Sequence, residues 1–334
     1  MSKRRYFGID RHIGRTPLIR LRRLSNLTGC EIVAKAEFMN PGGSVKDRTA
    51  YSIIIEAETA GRLKSGDTII EGTAGNTGIG LTMVGLSRGY HMVIVIPDNQ
   101  SPEKIQLLRT LGAHVITVPE KPYSDPGNYN RRAQYLAEQN GWFWANQFDN
   151  LDNRLAHYNT TGPEIWKQTA GQVTAFVSAV GSGGTLAGTT QFLKERNPKI
   201  KTVCADPYGA AMWSWFKHGN LDIKDGDSYA EGIGSTRVTK NLEGISVDEA
   251  YRIEDQTALT IIHHLLREEG LFVGLSSGIN VAGAVRLARE LGPGQVIATL
   301  LCDSGVRYMS KIFNRDWLKE HNLKFDLPLE STLE

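Results

Sequence analysis

A chain of 334 residues, 40% apolar and 22% charged, exceeds one small core and has the balance of a soluble globular protein with two packed α/β domains. A formal net charge of +2, with no long basic run, argues against a nucleic-acid partner. The longest apolar stretches, at 92–96 and 296–301, are strand-length, far short of the roughly 20 residues of a membrane helix. The basic start MSKRRYF leads into no apolar segment, so no secretory signal is expected. Cys30, Cys204 and Cys302 are widely separated and form no CxxC, which points away from disulfides and thiolate zinc. A reduced, cytoplasmic protein with buried structural thiols is expected.

No repeat or low-complexity block interrupts the chain. A strand is predicted at 31–38 and a helix at 45–61, stopped by a glycine. A strand at 67–72 runs into a Gly-rich turn and a helix at 76–89. Next come a strand at 92–96, a helix at 102–112 with Pro at its start and Gly at its end, and a strand at 114–118. The segment 122–129 is rich in Pro, Gly and Asp and reads as a surface connector or a lid. A strand at 143–146 and a long helix at 155–170 follow. A strand at 173–180 feeds a second Gly-rich turn, and another strand lies at 201–205. Helices at 257–270 and 280–291 precede a last strand at 296–302. Such alternation indicates parallel sheets with helices on both faces, and ligands there bind beyond the carboxyl ends of the strands.

Four clusters carry candidate chemistry. In the first, Asn40-Pro41-Gly42-Gly43-Ser44-Val45-Lys46-Asp47-Arg48, the turn places Lys46 in the first turn of a helix. The positive end of the helix and burial both lower a lysine pKa and free its amine. A solvated lysine balanced by Asp47 is the other reading. The second, Thr73-Ala74-Gly75-Asn76-Thr77-Gly78, offers backbone N–H groups with hydroxyl and amide donors for a carboxylate, or a simple capped turn. The third, Gly181-Ser182-Gly183-Gly184-Thr185, lets the backbone wrap a phosphate. It is neither a phosphate-binding P-loop nor GxGxxG, so a phosphomonoester suits it better than a nucleotide. The fourth, Gly274-Leu275-Ser276-Ser277-Gly278, could meet a ring edge or cap a helix that begins near Asn280. His263 and His264 are adjacent on a helix and point about 100° apart, so they form no metal pair. No metal site is expected. Asp248, Glu249, Glu268 and Glu269 read as surface charge. Trp213, Trp215 and Phe216 suit a pocket mouth, a dimer contact or the core.

In order along the chain, NPGGSVKDR (40–48), TAGNTGIGL (73–81), TTGPEIW (160–166), GSGGT (181–185), EGIG (231–234) and GLSSG (274–278) resemble the cysteine synthase family of fold-type II pyridoxal-phosphate enzymes. The similarity runs from GRTPL at 14–18 to DSGVRY at 303–308. It implies two doubly wound α/β domains with mainly parallel sheets and the cofactor, pyridoxal 5'-phosphate, in the cleft between them. Residues 1–38 plus 151–334 would form the larger, cofactor-phosphate-binding domain. Residues 39–150 would form the smaller, mobile, substrate-carboxylate-binding one. Lys46 would carry the cofactor as a Schiff base and later move the Cα proton. Asn76 would meet the ring oxygen, Gly181, Ser182, Gly183, Gly184 and Thr185 the phosphate, and Ser276 the pyridine nitrogen. Thr73, Ala74, Gly75, Asn76 and Thr77, with Gln147, would grip the substrate carboxylate. Gly232, with its neighbours to Gly234, would lie near the Schiff base. A neutral Ser276 hydroxyl makes a weaker electron sink than an aspartate, which suits β-elimination and β-replacement.

The resemblance implies cysteine synthase chemistry, O-acetylserine plus sulfide giving cysteine plus acetate, in a homodimer. Three departures point to a divergent branch. Ala74 stands where serine is usual, Glu231 where glutamine is usual, and 97–104 differs from the common wording. That branch includes cysteine desulfhydrases, which release sulfide, pyruvate and ammonia from cysteine. Cystathionine β-synthase-like and S-sulfocysteine synthase activities are further alternatives. A retired, non-enzymatic binding protein is the alternative from another class, and intact Lys46, Asn76 and GSGGT argue against it.

Overall fold

Two mainly parallel sheets divide the strands. The computed structural model describes residues 8–223, 226–325 and 327–332, so the basic MSKRRYF stretch lies outside the described residues. The strands are β1 (Leu18–Arg20), β2 (Glu31–Ala36), β3 (Thr68–Gly72), β4 (His91–Pro97), β5 (His114–Val118), β6 (Phe143–Trp144), β7 (Ala175–Ser178), β8 (Lys201–Pro207), β9 (Glu249–Ile253) and β10 (Val296–Leu301). The six-stranded sheet has the order β1-β2-β10-β7-β8-β9 and the four-stranded sheet β5-β4-β3-β6. Every pairing is parallel except β1 with β2. The expected α/β class with mainly parallel sheets is what the chain forms.

Both faces of the larger sheet are covered. One core joins Ile32, Val177, Val203 and Ile297 to Ile262, Ile279 and Val285 of the helices Asp255–Glu269 and Leu275–Leu291. The other joins Phe176, Cys204 and Leu300 to Leu186 and Leu193 of the helix Gly184–Arg196. Trp213, Trp215 and Phe216 pack against this second core from the helix Met212–His218. The smaller sheet packs Ile69, Ile94 and Ile96 against Ile53, Ile54 and Leu81 of the helices Lys46–Thr59 and Asn76–Ser87.

Several elements depart from the sequence expectation. The predicted helix at 155–170 is three pieces: Asp152–Ala156, a π-turn His157–Thr161, and Gly162–Gln168. Pro163 lacks the N–H that would continue a regular ladder there. The helix expected from Asn280 begins at Leu275. Gly278, taken as a loop residue, is helical, and its glycine answers a packing demand: a Cβ would lie 2.3 Å from the Ala258 carbonyl oxygen. Strand β9 begins at Glu249, and Asp248 before it ties Lys194 to the backbone N–H of Thr202, so neither is mere surface charge. Cys30 and Cys204 are buried as expected, whereas Cys302 is only partly covered.

One stitch between the two sheets lies at the start of the helix Lys46–Thr59. The Val45 N–H donates to the Cys302 carbonyl (2.8 Å), and Ser44 forms a bridge with Asp303. The first turn of the helix Lys46–Thr59 is thereby fixed to the end of β10. Two residues on, Arg48 donates to Glu37 through Nε and Nη2 (both 2.8 Å) and to Glu164 (2.7 and 2.8 Å). Lys35 completes the buried network through Glu164 (2.6 Å). Burial alone would raise the Glu37 pKa, but the Arg48 charge overrides it and holds it at about 2. Breaking such a pair leaves an uncompensated buried charge, so Glu37→Ala is expected to lose about 3–5 kcal/mol in urea unfolding. Because the folded pKa lies below the ordinary 4.5, this stabilisation is present above pH 4.5 and lost as pH falls through about 2. The variant is expected to lack that part of the acid dependence.

Candidate functional site

The glycine-rich turns open at the carboxyl ends of their strands. Strand β3 ends at Gly72, and the turn Thr73–Gly75 feeds the helix Asn76–Ser87. Strand β7 ends at Ser178, and the turn through Gly181 and Gly183 feeds the helix Gly184–Arg196. Beyond β10 stand Cys302 and Asp303, close enough to Lys46 to influence its amine. The Lys46 pKa is lowered, chiefly by burial, with Lys104 adding to the effect and Asp303 opposing it. No carboxylate pairs with Lys46 among the described residues. Asp47 turns away and accepts the Gly42 N–H, and burial raises its pKa to about 7. The picture of a solvated lysine balanced by Asp47 is therefore not what the chain forms.

The turn at 181–185 is shaped for a compact anion. Gly183 has φ +85°, and a Cβ at Gly181 would fall 2.2 Å from the Gly232 carbonyl oxygen. A Cβ at Gly184 would fall 2.2 Å from Asn153 Oδ1. The backbone N–H groups of Ser182, Gly183, Gly184 and Thr185 have no acceptor among the described residues. Free N–H groups at a helix start suit a phosphate ester. The Ser182 hydroxyl accepts from Asn153 Nδ2 (2.8 Å), and the Thr185 hydroxyl faces His157 Nε2 (3.2 Å). His157 is neutral, its pKa lowered to about 3 by burial and then by Arg48.

The turn at 73–77 brings Thr77 and Gln147 together. The Thr77 hydroxyl donates to Gln147 Oε1 (2.6 Å), and the Thr73 hydroxyl accepts the Gly75 N–H (3.1 Å). The N–H groups of Ala74, Asn76 and Thr77 have no acceptor among the described residues. Asn76 Nδ2 donates to Asp303 Oδ2 (2.6 Å), and its Oδ1 accepts from Arg307. The second Nδ2 hydrogen is the one an expected bond to a ring oxygen would use. Ser276 is helical and lies beside the Cys302 thiol, whose pKa burial pushes up to about 12. Gly232 has φ +81° and runs beside the 181–185 turn.

A family described as Pyridoxal-phosphate dependent enzyme matches residues 9–303. The chain belongs to that family. Its cofactor is pyridoxal phosphate. The cradle of free N–H groups and the amine of lowered pKa suit a phosphate ester and an aldehyde. The chain is 50% identical over 326 residues to cysteine synthase 1 of Neurospora crassa, covering 96% of this chain and 87% of that protein. It is 39% identical to cystathionine beta-synthase of Dictyostelium discoideum, covering 93% of this chain and 62% of that protein. Among solved structures, an O-acetylserine dependent cystathionine beta-synthase from Helicobacter pylori aligns with TM-score 0.83 and 35% identity, covering 92% of this chain and 98% of that one. An O-ureido-L-serine synthase aligns with TM-score 0.85 and 37% identity, covering 94% and 99%. These are fold-type II architectures.

Sequence reasoning missed the supporting residues. Asn153 joins Ser182, the Gln147 carbonyl (2.8 Å) and the Thr49 hydroxyl (2.8 Å). Asn241 also donates to the Gln147 carbonyl (2.9 Å). Glu71 accepts the N–H groups of Asn146 (2.8 Å) and Gln147 (3.2 Å), and burial raises its pKa to about 8. The helical spacing of Asn153, His157 and Thr161 was the available signal. His263 and His264 are buried, and no group of three or more potential metal ligands occurs among the described residues. Gly184→Ala is expected to weaken retention of pyridoxal phosphate at least about tenfold, or roughly 1.4 kcal/mol, in equilibrium dialysis. Truncating Asn153 to Ala in the same chain should restore part of that loss by making room.

Proposed function

We propose that the protein replaces the β-substituent of O-acetylserine with sulfide, forming cysteine and acetate. The observation that carries this is the Lys46 amine at a helix start, its pKa lowered chiefly by burial, in a chain whose 181–185 and 73–77 turns each leave backbone N–H groups without an acceptor among the described residues. When bound, pyridoxal phosphate supplies an electron sink for the pair left at Cα, which lets the β-substituent depart. Gly181–Thr185 would hold its phosphate, and Ser276 would face its ring nitrogen.

The chain's own groups do the rest. The N–H groups of Ala74, Asn76 and Thr77, with the Thr77 hydroxyl and Gln147, bind the substrate carboxylate and fix the Cα–H bond toward Lys46. Burial lowers the Lys46 pKa, which favours the neutral amine that takes the Cα proton and later returns it. Ala74 lacks the usual hydroxyl and leaves room beside the carboxylate. We further propose that residues 39–150 close over the substrate, and that the protein is a cytoplasmic homodimer, as the resemblance implies; sedimentation tests the assembly.

Lys46→Ala is expected to lose the cofactor absorbance band that amino acids perturb, with turnover falling by at least about a thousandfold. Borohydride reduction and peptide mapping of the wild type should label Lys46, and a label on another lysine would overturn the assignment. Product assays decide the reaction: cysteine from O-acetylserine and sulfide is expected. Pyruvate and ammonia from cysteine alone, at a higher rate, would establish desulfhydration instead. Ala74→Ser is expected to shift the ranking of amino-acid substrates by several-fold in kcat/KM while leaving cofactor affinity within about twofold.

A further inference from the structure

Two departures of the sequence, the 97–104 segment and Glu231, meet in space. Glu231 is almost buried and accepts from the Ser101 hydroxyl (2.8 Å), Lys104 Nζ (2.6 Å) and Lys311 Nζ (2.6 Å). Burial opposes its ionisation, but Lys104 and Lys311 override it and lower its pKa. The cluster therefore holds two cations and one carboxylate.

Lys104 is the member that lies against the 73–77 turn. It is 1% exposed, and its stem covers Gly75 so closely that a Cβ there would fall 2.7 Å from Lys104 Cδ. Its ammonium lies 4.5 Å from the centre of the Tyr308 ring and near enough to Lys46 to lower that amine's pKa. Three N–H donors meet one carboxylate oxygen and one ring face, which leaves donor capacity beside the substrate-carboxylate turn. A buried cation with unused donors attracts anionic groups strongly, because little water screens it.

We propose that Lys104, restrained by Glu231, sets the charge preference for the β-substituent and tunes the site toward substituents that are already anionic, such as a phosphate ester. This rests on the β-replacement chemistry proposed above. In the step concerned, Lys46 takes the Cα proton while the Cβ–O bond breaks, and its electron pair leaves on the phosphate or acetate oxygen. The Lys104 charge favours the phosphate ester over the neutral acetate ester from the moment of binding. Glu231 moderates that bias by engaging the same ammonium.

The test compares O-phosphoserine with O-acetylserine, each with sulfide, on purified holoenzyme. Glu231→Gln should raise the ratio of their kcat/KM values about tenfold in favour of the phosphate ester. Lys104→Met keeps the stem over Gly75 and should lower the ratio about tenfold, whereas Lys104→Arg should hold it within about threefold of wild type. The changes should appear mainly in KM. Titration of the cofactor absorbance with each amino acid gives its dissociation constant directly, so the preference is read in a variant with slow turnover. Ratios and dissociation constants that stay within twofold in both Glu231→Gln and Lys104→Met would overturn the assignment and leave the cluster a structural tie. A wild type that turns over neither ester, but whose dissociation constants shift as stated, would sink the β-replacement proposal and keep the charge assignment. If Lys104→Met does not fold, Glu231→Gln carries the decision alone.

Discussion

The site depends on where one turn of backbone is held. Lys46, Asp47 and Arg48 open a helix and point in three directions about 100° apart. Lys46 lies near Cys302, Asp303 and Lys104, Asp47 turns back to the Gly42 N–H, and Arg48 enters the Glu37–Glu164 network. None of the three can shift without moving the others, because all belong to one turn. Backbone contacts from Val45 and Ser44 to Cys302 and Asp303 then fix that turn to the larger sheet. The buried ion network therefore has a consequence beyond stability: it helps set where the Lys46 amine, its pKa lowered chiefly by burial, is held.

A second layer holds the 73–77 and 181–185 turns in register. Along the segment 152–168, Asn153 reaches the Ser182 hydroxyl and the Gln147 carbonyl, His157 reaches Thr185, and Glu164 reaches Arg48. All three lie on the one helical run that the π-turn His157–Thr161 interrupts. Rigid support of this kind keeps groups that touch a ligand within a few tenths of an ångström of one geometry.

The elements that a sequence displays are those whose periodicity or glycine spacing is local. The strands at 68–72, 91–97 and 114–118, and the turns around Gly75 and Gly183, were legible for that reason. Strand β1 has three residues, too short to show a period, and β9 was hidden by the charged residues Asp248, Glu249 and Arg252 in and beside it. The helix Tyr129–Asn140 escaped because its polar face dominates its composition. Within the site, contiguous motifs gave Lys46, Asn76 and the 181–185 turn. Asn153, Asn241, Glu71 and Lys104 act through partners 6 to 127 positions away. No spacing rule in the sequence marks such pairs. Glu231 and the 97–104 segment stood out only as unusual wording, and their shared meaning lies in the fold.

The corrected start of the helix at Leu275 bears on the proposed chemistry. With the helix beginning there, Ser276 stands in its first turn, where the backbone carries partial positive charge. Its neighbour Cys302 is a neutral thiol, since burial holds its pKa near 12. Of the two Asp303 oxygens, Oδ2 accepts from Asn76 and Tyr308. A ring nitrogen received at Ser276, as proposed, would meet a hydroxyl beside a thiol at a positive helix end. An unprotonated ring is a modest electron sink. It suffices where a good leaving group departs with the electron pair. It serves poorly where a carbanion must persist, as in racemisation or transamination. Had the helix begun at Asn280, Ser276 would sit in a loop and this electrostatic bias would vanish. On the proposed reading of Ser276, the position of this helix end bears on the choice between β-replacement and competing reactions at Cα.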